Sequence, residues 1–359
     1  RTLQIPNFRN YMAGNFASQA GMWVQRIAVG WLTWELTESP FWLGAISFSA
    51  LFPSFILSPY TGAIADRFGM RKVASYALLV SCITACMLGL LVLLKVISIQ
   101  LVCVLTLIQG TALAFDLPSR QGLVYSLVDR KVLSSAIALN TTTFHMGAFI
   151  GPALFGIIIM FLGMEWAFFA NAASFAFFFW SLQALKLDRN EDTGTLSKGI
   201  GFEMIDGIRY VINHPGIQAL FLMAMVPHIL IRPFIDLLPG FSAGVFGQGT
   251  DGIAVLAGSF GLGSFIFGVW LALRGKISGL ARIHVMSILT STIFMFGFAA
   301  TKVFWFAVPC LFVVGMSTIA FAVANQSLIQ NAVDPGKRGR VIGLSTGLAV
   351  GLPAIGALI

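Results

Sequence analysis

Long apolar runs dominate the chain, and they recur at intervals that suit helices crossing a lipid bilayer. A spanning helix needs about 20 mostly apolar residues. Eleven segments meet this requirement: 10–34, 41–63, 73–94, 98–120, 135–162, 165–185, 215–240, 252–273, 280–300, 303–328 and 341–359. Because the runs are continuous and lack a period of two, they predict helices rather than the strands of a barrel.

The composition agrees with a chain whose main solvent is lipid. Of 359 residues, 57% are hydrophobic and only 10% are charged, and the mean hydropathy is +0.88. Soluble domains carry about 25% charged residues, and a soluble globule this apolar would expose large hydrophobic patches. A soluble enzyme, a disordered chain and a nucleic-acid-binding module are therefore excluded. The four cysteines lie in apolar runs without metal-binding spacing, so no metal site and no cofactor are expected.

The distribution of Lys and Arg predicts the orientation in the membrane. All but four of the 22 Lys and Arg residues fall at helix ends or loops on the side of the N-terminus. Lys95 and Lys302 fall on the opposite side, and Arg26 and Arg232 fall within spans. Basic loops stay in the cytoplasm. We therefore expect a cytoplasmic N-terminus, a net charge of +8 that reflects basic loops, and a multi-pass protein of the bacterial inner membrane.

A polar stretch divides the chain into two groups of spans. We predict an N-terminal six-helix bundle over 1–185, a cytoplasmic linker over 186–214, and a C-terminal bundle over 215–359. Within the linker, apolar and charged residues interleave over 202–212, which indicates an amphipathic helix on the membrane surface. A solvated connector is the alternative.

The two groups of spans show traces of an internal repeat. At an offset of 205 positions, Gln121 aligns with Gln326 and Asp129 aligns with Asp334. A parallel repeat of six-helix halves is a transporter design with its site between the halves. By that symmetry we expect about eleven of twelve transmembrane helices in this chain, with the last one missing.

The segment between the second and third spans resembles a known transporter motif. Residues 62–72 read GAIADRFGMRK. This resembles motif A of the major facilitator superfamily, and the resemblance implies a cluster that latches the cytoplasmic sides of the two halves, with Arg340 as a partner for Asp66. The residues of this predicted cytoplasmic gate are Gly62, Asp66, Arg67, Gly69, Arg71, Lys72 and Arg340. An ordinary basic loop is the alternative.

Further segments narrow the resemblance. Gly147, Gly151, Pro152 and Gly156 in the fifth span look like motif C, which marks exporters and antiporters, although small residues at this spacing also serve ordinary helix packing. The segments FDLPSRQ at 115–121 and WVQRIAVGWL at 23–32 resemble the bacterial transmembrane secretion effector branch of the superfamily. Thr106 stands where motif B has an arginine, which weakens the carry-over of motif B proton coupling.

Polar residues inside the spans supply the candidates for a binding site. Charges in the bilayer are costly and usually functional. The candidates for the substrate cavity lie at helical spacing in the first and seventh spans: Asn15, Gln19, Arg26, His228, Arg232 and Asp236. Two guanidinium groups facing one cavity would suit an anionic amphiphile. Alternatively Asp236 neutralises Arg232, and Glu35 or a helix-end carbonyl neutralises Arg26.

Three further residues are candidates for coupling or gating. Asp116 and Arg120 are four residues apart and are expected to form a structural pair or a gate. His145 could titrate within a proton gradient, or it could be an ordinary core histidine.

These observations predict an all-α membrane protein with a major facilitator fold of two pseudo-symmetric six-helix bundles. We expect a monomeric secondary transporter that exports an amphipathic small molecule, with anionic cargo as a narrower hypothesis, by alternating access and proton antiport. Flipping of a lysophospholipid or another lipid is the alternative within transport. A membrane-embedded transferase is a remote alternative because the sequence carries no HxxxxD pair, metal cluster or nucleotide-binding loop, and the repeat and motif A disfavour a passive channel.

Overall fold

A computed structural model shows that the protein is built from helices. It describes residues 2–129, 132–185, 200–274, 279–334 and 337–358, and no strand occurs within these ranges. The first six helices pack against one another as one bundle. They are α1 (Pro6–Thr37), α2 (Pro40–Phe68), α3 (Met70–Leu93), α4 (Ile99–Leu127), α5 (Leu133–Phe161) and α6 (Met164–Gln183).

The second group of helices follows a short amphipathic helix, α7 (Ile200–Asn213). Its long members are α10 (Thr250–Arg274), α11 (Leu280–Ala300), α12 (Phe304–Ala332) and α13 (Arg338–Gly356). The first span of this group is broken into α8 (Pro215–Val226) and α9 (Phe234–Gly240), with π turns at Pro227–Ile231 and Phe241–Val245. Prolines at 227, 233 and 239 remove backbone donors, which accounts for the breaks.

The predicted all-helical membrane architecture is confirmed. Each of the eleven predicted spans coincides with a helix or, for 215–240, with the broken helix α8–α9. Within the described residues, eight helices are long and apolar enough to cross a bilayer. Helices α1 and α6 are not among these eight, and the apolar part of α13 is the shorter segment Val341–Gly356.

The helices define two ends of the molecule. Because consecutive spans alternate in direction, α1 runs from the end that we call the N-terminal face to the end that we call the distal face. The short turns at 38–39, 94–98 and 301–303 lie at the distal face. Helix α7 lies at the N-terminal face, where the hydroxyl of Tyr210 donates to Asp334 (3.1 Å) and Asp206 forms a salt bridge with Lys337. Residues 186–199 of the predicted linker lie outside the described residues.

Two pairs of long helices make the most extensive contacts between the bundles. Helix α5 packs against α10, where the rings of Phe149 and Phe265 stack with centroids 5.9 Å apart. Helix α2 packs against α13. At the distal end of this second contact, a Cβ added to Gly44 would lie 2.0 Å from the carbonyl oxygen of Ala357, so the two backbones touch. The cleft between the bundles is thus bordered on two sides by direct helix contacts.

The C-terminal bundle is held by a close crossing of α10 and α12. A Cβ on Gly263 would lie 2.0 Å from the carbonyl oxygen of Phe312, and one on Gly315 would lie 2.0 Å from that of Phe260. These reciprocal approaches leave no room for a side chain, since the obstructing atoms belong to the backbone. Small residues allow such approaches in membranes, where packing rather than the hydrophobic effect joins helices.

The substitution Gly263→Ala tests this crossing. It should separate α10 from α12 and destabilise the protein by about 1–3 kcal/mol, the usual range for overpacking. Gly258→Ala on the same helix is the matched control because its Cβ would meet nothing within 4 Å. Thermal unfolding in detergent should show a lower Tm for the first variant and an unchanged or higher Tm for the second. Equal Tm values for the two variants would contradict the proposed crossing.

Candidate functional site

A cavity of about 80 Å³ lies between the two bundles. The N-terminal bundle contributes Trp23, Phe144 and Ala148, and the broken span and α10–α12 contribute the remaining walls. The apolar walls are largely aromatic and include Phe234, Phe260 and Phe321. The polar lining residues are His228, Arg232, Ser264, Ser291 and Thr318. The broken span α8–α9 therefore supplies His228 and Arg232, the two side chains of the lining that can carry a positive charge, which agrees with the frequent occurrence of π turns at functional sites.

The hydroxyl groups of this cavity already use their hydrogens. Ser264 donates to the carbonyl of Gly315 (2.9 Å), Ser291 to that of Ile288 (2.9 Å) and Thr318 to that of Val314 (2.8 Å). These hydroxyls therefore satisfy the helix backbone and can only accept from a ligand. Ligand donors must come from other side chains.

Two such donors are available. The indole N–H of Trp23 is buried and has no hydrogen-bond partner within the described residues. Arg232 is half-buried, and no hydrogen bond or salt bridge involves its guanidinium in the part of the chain that the structure describes. Buried donors are normally paired, so the unpaired indole N–H of Trp23 is an unusual feature of this cavity, and Arg232 adds a partly exposed guanidinium to the same lining.

A salt bridge joins the bundles between this cavity and the distal face. The guanidinium of Arg26 on α1 contacts the carboxylate of Asp236 on α9 with two bonds, from Nε to Oδ1 (2.7 Å) and from Nη2 to Oδ2 (2.9 Å). The hydroxyl of Ser47 on α2 donates to the same Oδ2 (2.6 Å). We call these three residues the distal cluster. Arg26 lies in the second half of α1 and Ser47 about two turns into α2, which places the cluster toward the distal face.

Close packing continues the closure beyond the distal cluster. The indole of Trp34 on α1 lies against α9 and the following π turn, where added Cβ atoms at Gly240 and Gly244 would approach it to 3.1 and 3.3 Å. A Cβ at Gly30 would lie 3.2 Å from the ring of Pro239. The bundles are thus in contact from the cavity to the distal face along α1 and α9.

The pairing of Asp236 differs from both alternatives weighed from the sequence. Asp236 binds Arg26 rather than Arg232, and Glu35 is exposed and does not neutralise Arg26. Arg232 and Pro233 keep right-handed helical backbone angles, so Asp236 stays about one turn beyond Arg232. Its carboxylate nevertheless bonds to the opposite bundle, where the bidentate fork of Arg26 matches it.

The candidates at the start of α1 belong to a different cluster. Asn15 is 1% exposed and accepts from Nη1 of Arg120 (3.0 Å), while its amide donates to Asn140 (2.9 Å). Gln19 is also buried, and neither residue lines the cavity. Arg26 bonds across the bundles and does not belong to the lining of the cavity either. The helical face predicted for Asn15, Gln19 and Arg26 therefore does not face this cavity, and Asn15 faces the core of its own bundle.

Asp116 and Arg120 form the ion pair expected from their spacing. Nη2 of Arg120 lies 2.5 Å from Oδ2 of Asp116 and 3.0 Å from the hydroxyl of Ser18, and its guanidinium lies 4.5 Å from the ring centroid of Phe178. All of these groups belong to α1, α4 and α6. The pair is therefore placed to hold the N-terminal bundle together, rather than to bridge the two bundles.

A second buried network was not predicted from the sequence. The amide of Gln25 donates to Gln109, and Asn171 donates to the side-chain oxygen of Gln25 (2.6 Å). These hydrogen bonds connect α1 to α4 and α6. Gln25 was visible as a polar interruption of the first span, but nothing in its spacing identified its partners. Ser47 was missed because a single serine in an apolar span is unremarkable.

The motif A residues occupy the junction of α2 and α3. Gly69 takes a φ of +90° and ends α2 directly before α3 begins, a conformation that favours glycine. Arg71 donates to the carbonyls of Gln183 (2.9 Å) and Leu185 (3.1 Å), which attaches α3 to the end of α6.

The remaining residues of the predicted gate are either exposed or only partly described by the structure. Arg67 and Lys72 are exposed. The surroundings of Gly62 and the side chains of Asp66 and Arg340 lie outside the described residues, as does the side chain of His145.

The motif C residues place α5 between α1 and α10. A Cβ on Gly147 would lie 3.1 Å from the backbone of Gln19, and one on Gly151 would lie 2.5 Å from Cβ of Trp23. One on Gly156 would lie 3.2 Å from Cβ of Ala254 on the other bundle. Pro152 lies within α5, one residue after the closest approach. These small residues thus bring α5 close to the tryptophan of the cavity and to the bundle interface.

Removal of one charge from the distal cluster should cost stability, and removal of both should restore most of it. Asp236→Asn leaves the guanidinium of Arg26 without its counter-charge, so we expect a loss of about 1–3 kcal/mol, less than for a fully buried pair because both side chains are partly exposed. The double variant Arg26→Gln with Asp236→Asn should recover more than half of this loss. Thermal unfolding of both single variants and the double variant measures the coupling. Additive losses would contradict a direct interaction.

Comparison with known proteins agrees with this architecture. The model of the transmembrane secretion effector family matches residues 2–359. The chain is 21% identical over 339 residues to the staphyloferrin A transporter of Staphylococcus aureus, covering 93% of this chain and 84% of that protein. It is 21% identical over 346 residues to macrolide efflux protein A of Streptococcus pyogenes, covering 94% and 84%.

A solved structure shows the same arrangement of helices. The nucleoside transporter NupG superposes with a TM-score of 0.75 at 14% identity, covering 98% of this chain and 89% of that one. Such a likeness concerns the fold. Together with the family match over nearly the whole chain, it establishes that the chain belongs to the transmembrane secretion effector family of major facilitator transporters.

Proposed function

We propose that the protein exports an amphipathic small molecule by alternating access, with the cavity as its central site and the distal cluster as the gate on one side. The salt bridge from Arg26 to Asp236 carries this proposal, because it joins the two bundles beside a cavity that both bundles line. A transporter must break such a contact whenever it opens on that side.

The direction of export follows from the proposed orientation. The basic loops of the N-terminal face favour a cytoplasmic position for that face and an external position for the distal face. The distal cluster then closes the external side. The names of the related staphyloferrin A and macrolide transporters support a small, amphipathic cargo, and they do not fix its charge.

We also propose that protons drive the cycle and that Asp236 carries them. Among the carboxylates that the structure describes, Asp236 bonds across the bundles within the membrane. When the bundles part on the distal side, Asp236 loses Arg26 and Ser47 and becomes free to take a proton from outside. When they close again, Arg26 competes with that proton for the carboxylate. Closure of the gate therefore displaces the proton from Asp236, and antiport results because the protein is then open on the N-terminal side and releases the proton there.

Transport into everted membrane vesicles tests this proposal with two fluorescent probes, Hoechst 33342 and 5-carboxyfluorescein. We expect wild-type protein to move at least one probe against its concentration gradient when a pH gradient is imposed. Asp236→Asn should lower this rate at least tenfold because it removes both the gate and the proton site. Glu165→Gln, at an acidic residue near the distal face, is the control and should retain the wild-type rate.

Two outcomes would contradict the proposal. The hypothesis of proton-driven export would be contradicted if wild-type protein moved neither probe, or if its transport rate did not depend on the pH gradient. Gradient-independent movement of a fluorescent lysophospholipid between leaflets would favour lipid flipping instead.

A further inference from the structure

We propose that the central cavity recognises a compact aromatic carboxylate, held by Arg232 and the indole N–H of Trp23. This inference rests on the proposed function, since it names the class of cargo that the transport site takes. Three features of the cavity support it: its charge, its unpaired donors and its aromatic walls.

The charges around the cavity leave one positive charge unmatched. Arg26 and Arg232 are the two guanidinium groups of this region, and Asp236 is the carboxylate beside them. Oδ1 of Asp236 accepts from Nε of Arg26, and Oδ2 accepts from Nη2 of Arg26 and from the hydroxyl of Ser47. No described bond joins this carboxylate to Arg232. Arg232 therefore lacks a bonded counter-charge among the described residues while it lines the cavity. A single anionic group on the cargo would neutralise it, whereas a cationic cargo would be repelled.

The unpaired donors match a carboxylate. Trp23 is only 5% exposed, it lines the cavity, and its indole nitrogen has no hydrogen-bond partner in the described structure. The three hydroxyls of the lining already donate to backbone carbonyls. The N–H groups of Trp23 and Arg232 are therefore unused donors on opposite bundles. A carboxylate has two acceptor oxygens and could bind one donor with each.

The walls and the volume suit one substituted ring. Phe144, Phe260 and Phe321 provide ring surfaces. Phe144 lies edge-on to Trp23 with centroids 6.0 Å apart, and the imidazole of His228 lies edge-on to Phe321 at 5.6 Å. A volume of about 80 Å³ corresponds to roughly five to eight water positions, at about 10–15 Å³ for each. In this closed conformation the cavity can thus enclose one aromatic head group, and a multi-ring molecule would bind only after the bundles part.

A lipid phosphate would present a similar charge, but the site fits it less well. The glycerol backbone of a phospholipid is polar and flexible, and the aromatic walls offer few donors for its ester groups. We therefore expect glycerol 3-phosphate to bind more weakly than a ring-bearing carboxylate of similar size.

Binding of small probes to the purified full chain in lipid nanodiscs tests the proposal. Radiolabelled benzoate is the ligand, and unlabelled benzoate, benzamide, benzylamine and glycerol 3-phosphate are the competitors. Benzamide keeps the shape of benzoate and removes its charge, and benzylamine reverses the charge. We expect benzoate to displace the label at concentrations at least tenfold lower than any other competitor, because charge-assisted hydrogen bonds exceed neutral ones.

Single-residue variants test whether Arg232 and Trp23 cause the preference for benzoate. Arg232→Gln should abolish the preference for benzoate over benzamide, and Arg232→Lys should retain part of it because the charge remains. Trp23→Phe keeps an aromatic ring and removes the N–H, so it should weaken benzoate binding about tenfold. Arg282→Gln, at an exposed arginine of α11, is the matched control and should bind like wild type. Size-exclusion chromatography and the Tm of each variant separate a lost contact from a lost fold.

The outcomes distinguish this inference from the proposed function. Equal binding of benzoate and benzamide, a preference that survives in Arg232→Gln, or no benzoate binding by wild-type protein would overturn the inference. If the same protein still exports a probe in everted vesicles, the proposed function stands. Failure of export with intact, charge-selective benzoate binding would instead contradict the transport proposal.

Discussion

A guanidinium inside a bilayer must find a counter-charge, and the arrangement of this protein depends on where Arg26 finds its own. An uncompensated charge at the centre of a membrane helix costs about 2.5–3.5 kcal/mol on insertion scales. Arg26 meets Asp236 on the opposite bundle, with Ser47 completing the contact. Because Arg26 and Asp236 lie on different bundles, the contact that neutralises their charges also holds the bundles together toward the distal face. The bundles cannot part on the distal side without exposing both charges.

The second guanidinium has a different status. Once Asp236 is committed to Arg26, Arg232 stands at the cavity without a bonded carboxylate in the described structure. One interaction thus both joins the bundles toward the distal face and leaves the guanidinium of Arg232 at the cavity wall without that carboxylate. By contrast, Arg120 is neutralised by Asp116 on its own helix and by neighbours in its own bundle. Arg26, Arg232 and Arg120 therefore have three different environments, and among the described contacts of these three residues that of Arg26 joins the two bundles.

Much of the fold could be predicted from the sequence because the number and length of membrane-spanning helices follow from the lengths of the apolar runs. The run lengths gave the helices, and the offset of Gln121 and Gln326 pointed to two related halves. The pairing of Arg26 could not be derived in this way, since its partner is 210 residues away along the chain. The spacing of Asn15 and Gln19 identified a helical face but could not decide whether that face meets the bundle core or the cleft. The π turns mattered as well, because they change which side chains of the seventh span share a face.

Accessibility of the cavity from the distal side shows whether the ion pair of Arg26 and Asp236 holds the two bundles together. In a variant in which Cys82, Cys86, Cys103 and Cys310 are replaced by serine, Thr318→Cys places one thiol at the cavity wall. A membrane-impermeant methanethiosulfonate reagent is then applied from the distal side of sealed vesicles. We expect slow labelling of this thiol while Arg26 and Asp236 are present, and labelling at least tenfold faster in Asp236→Asn. Equal labelling rates with and without the Asp236 carboxylate would contradict the claim that this ion pair holds the bundles closed.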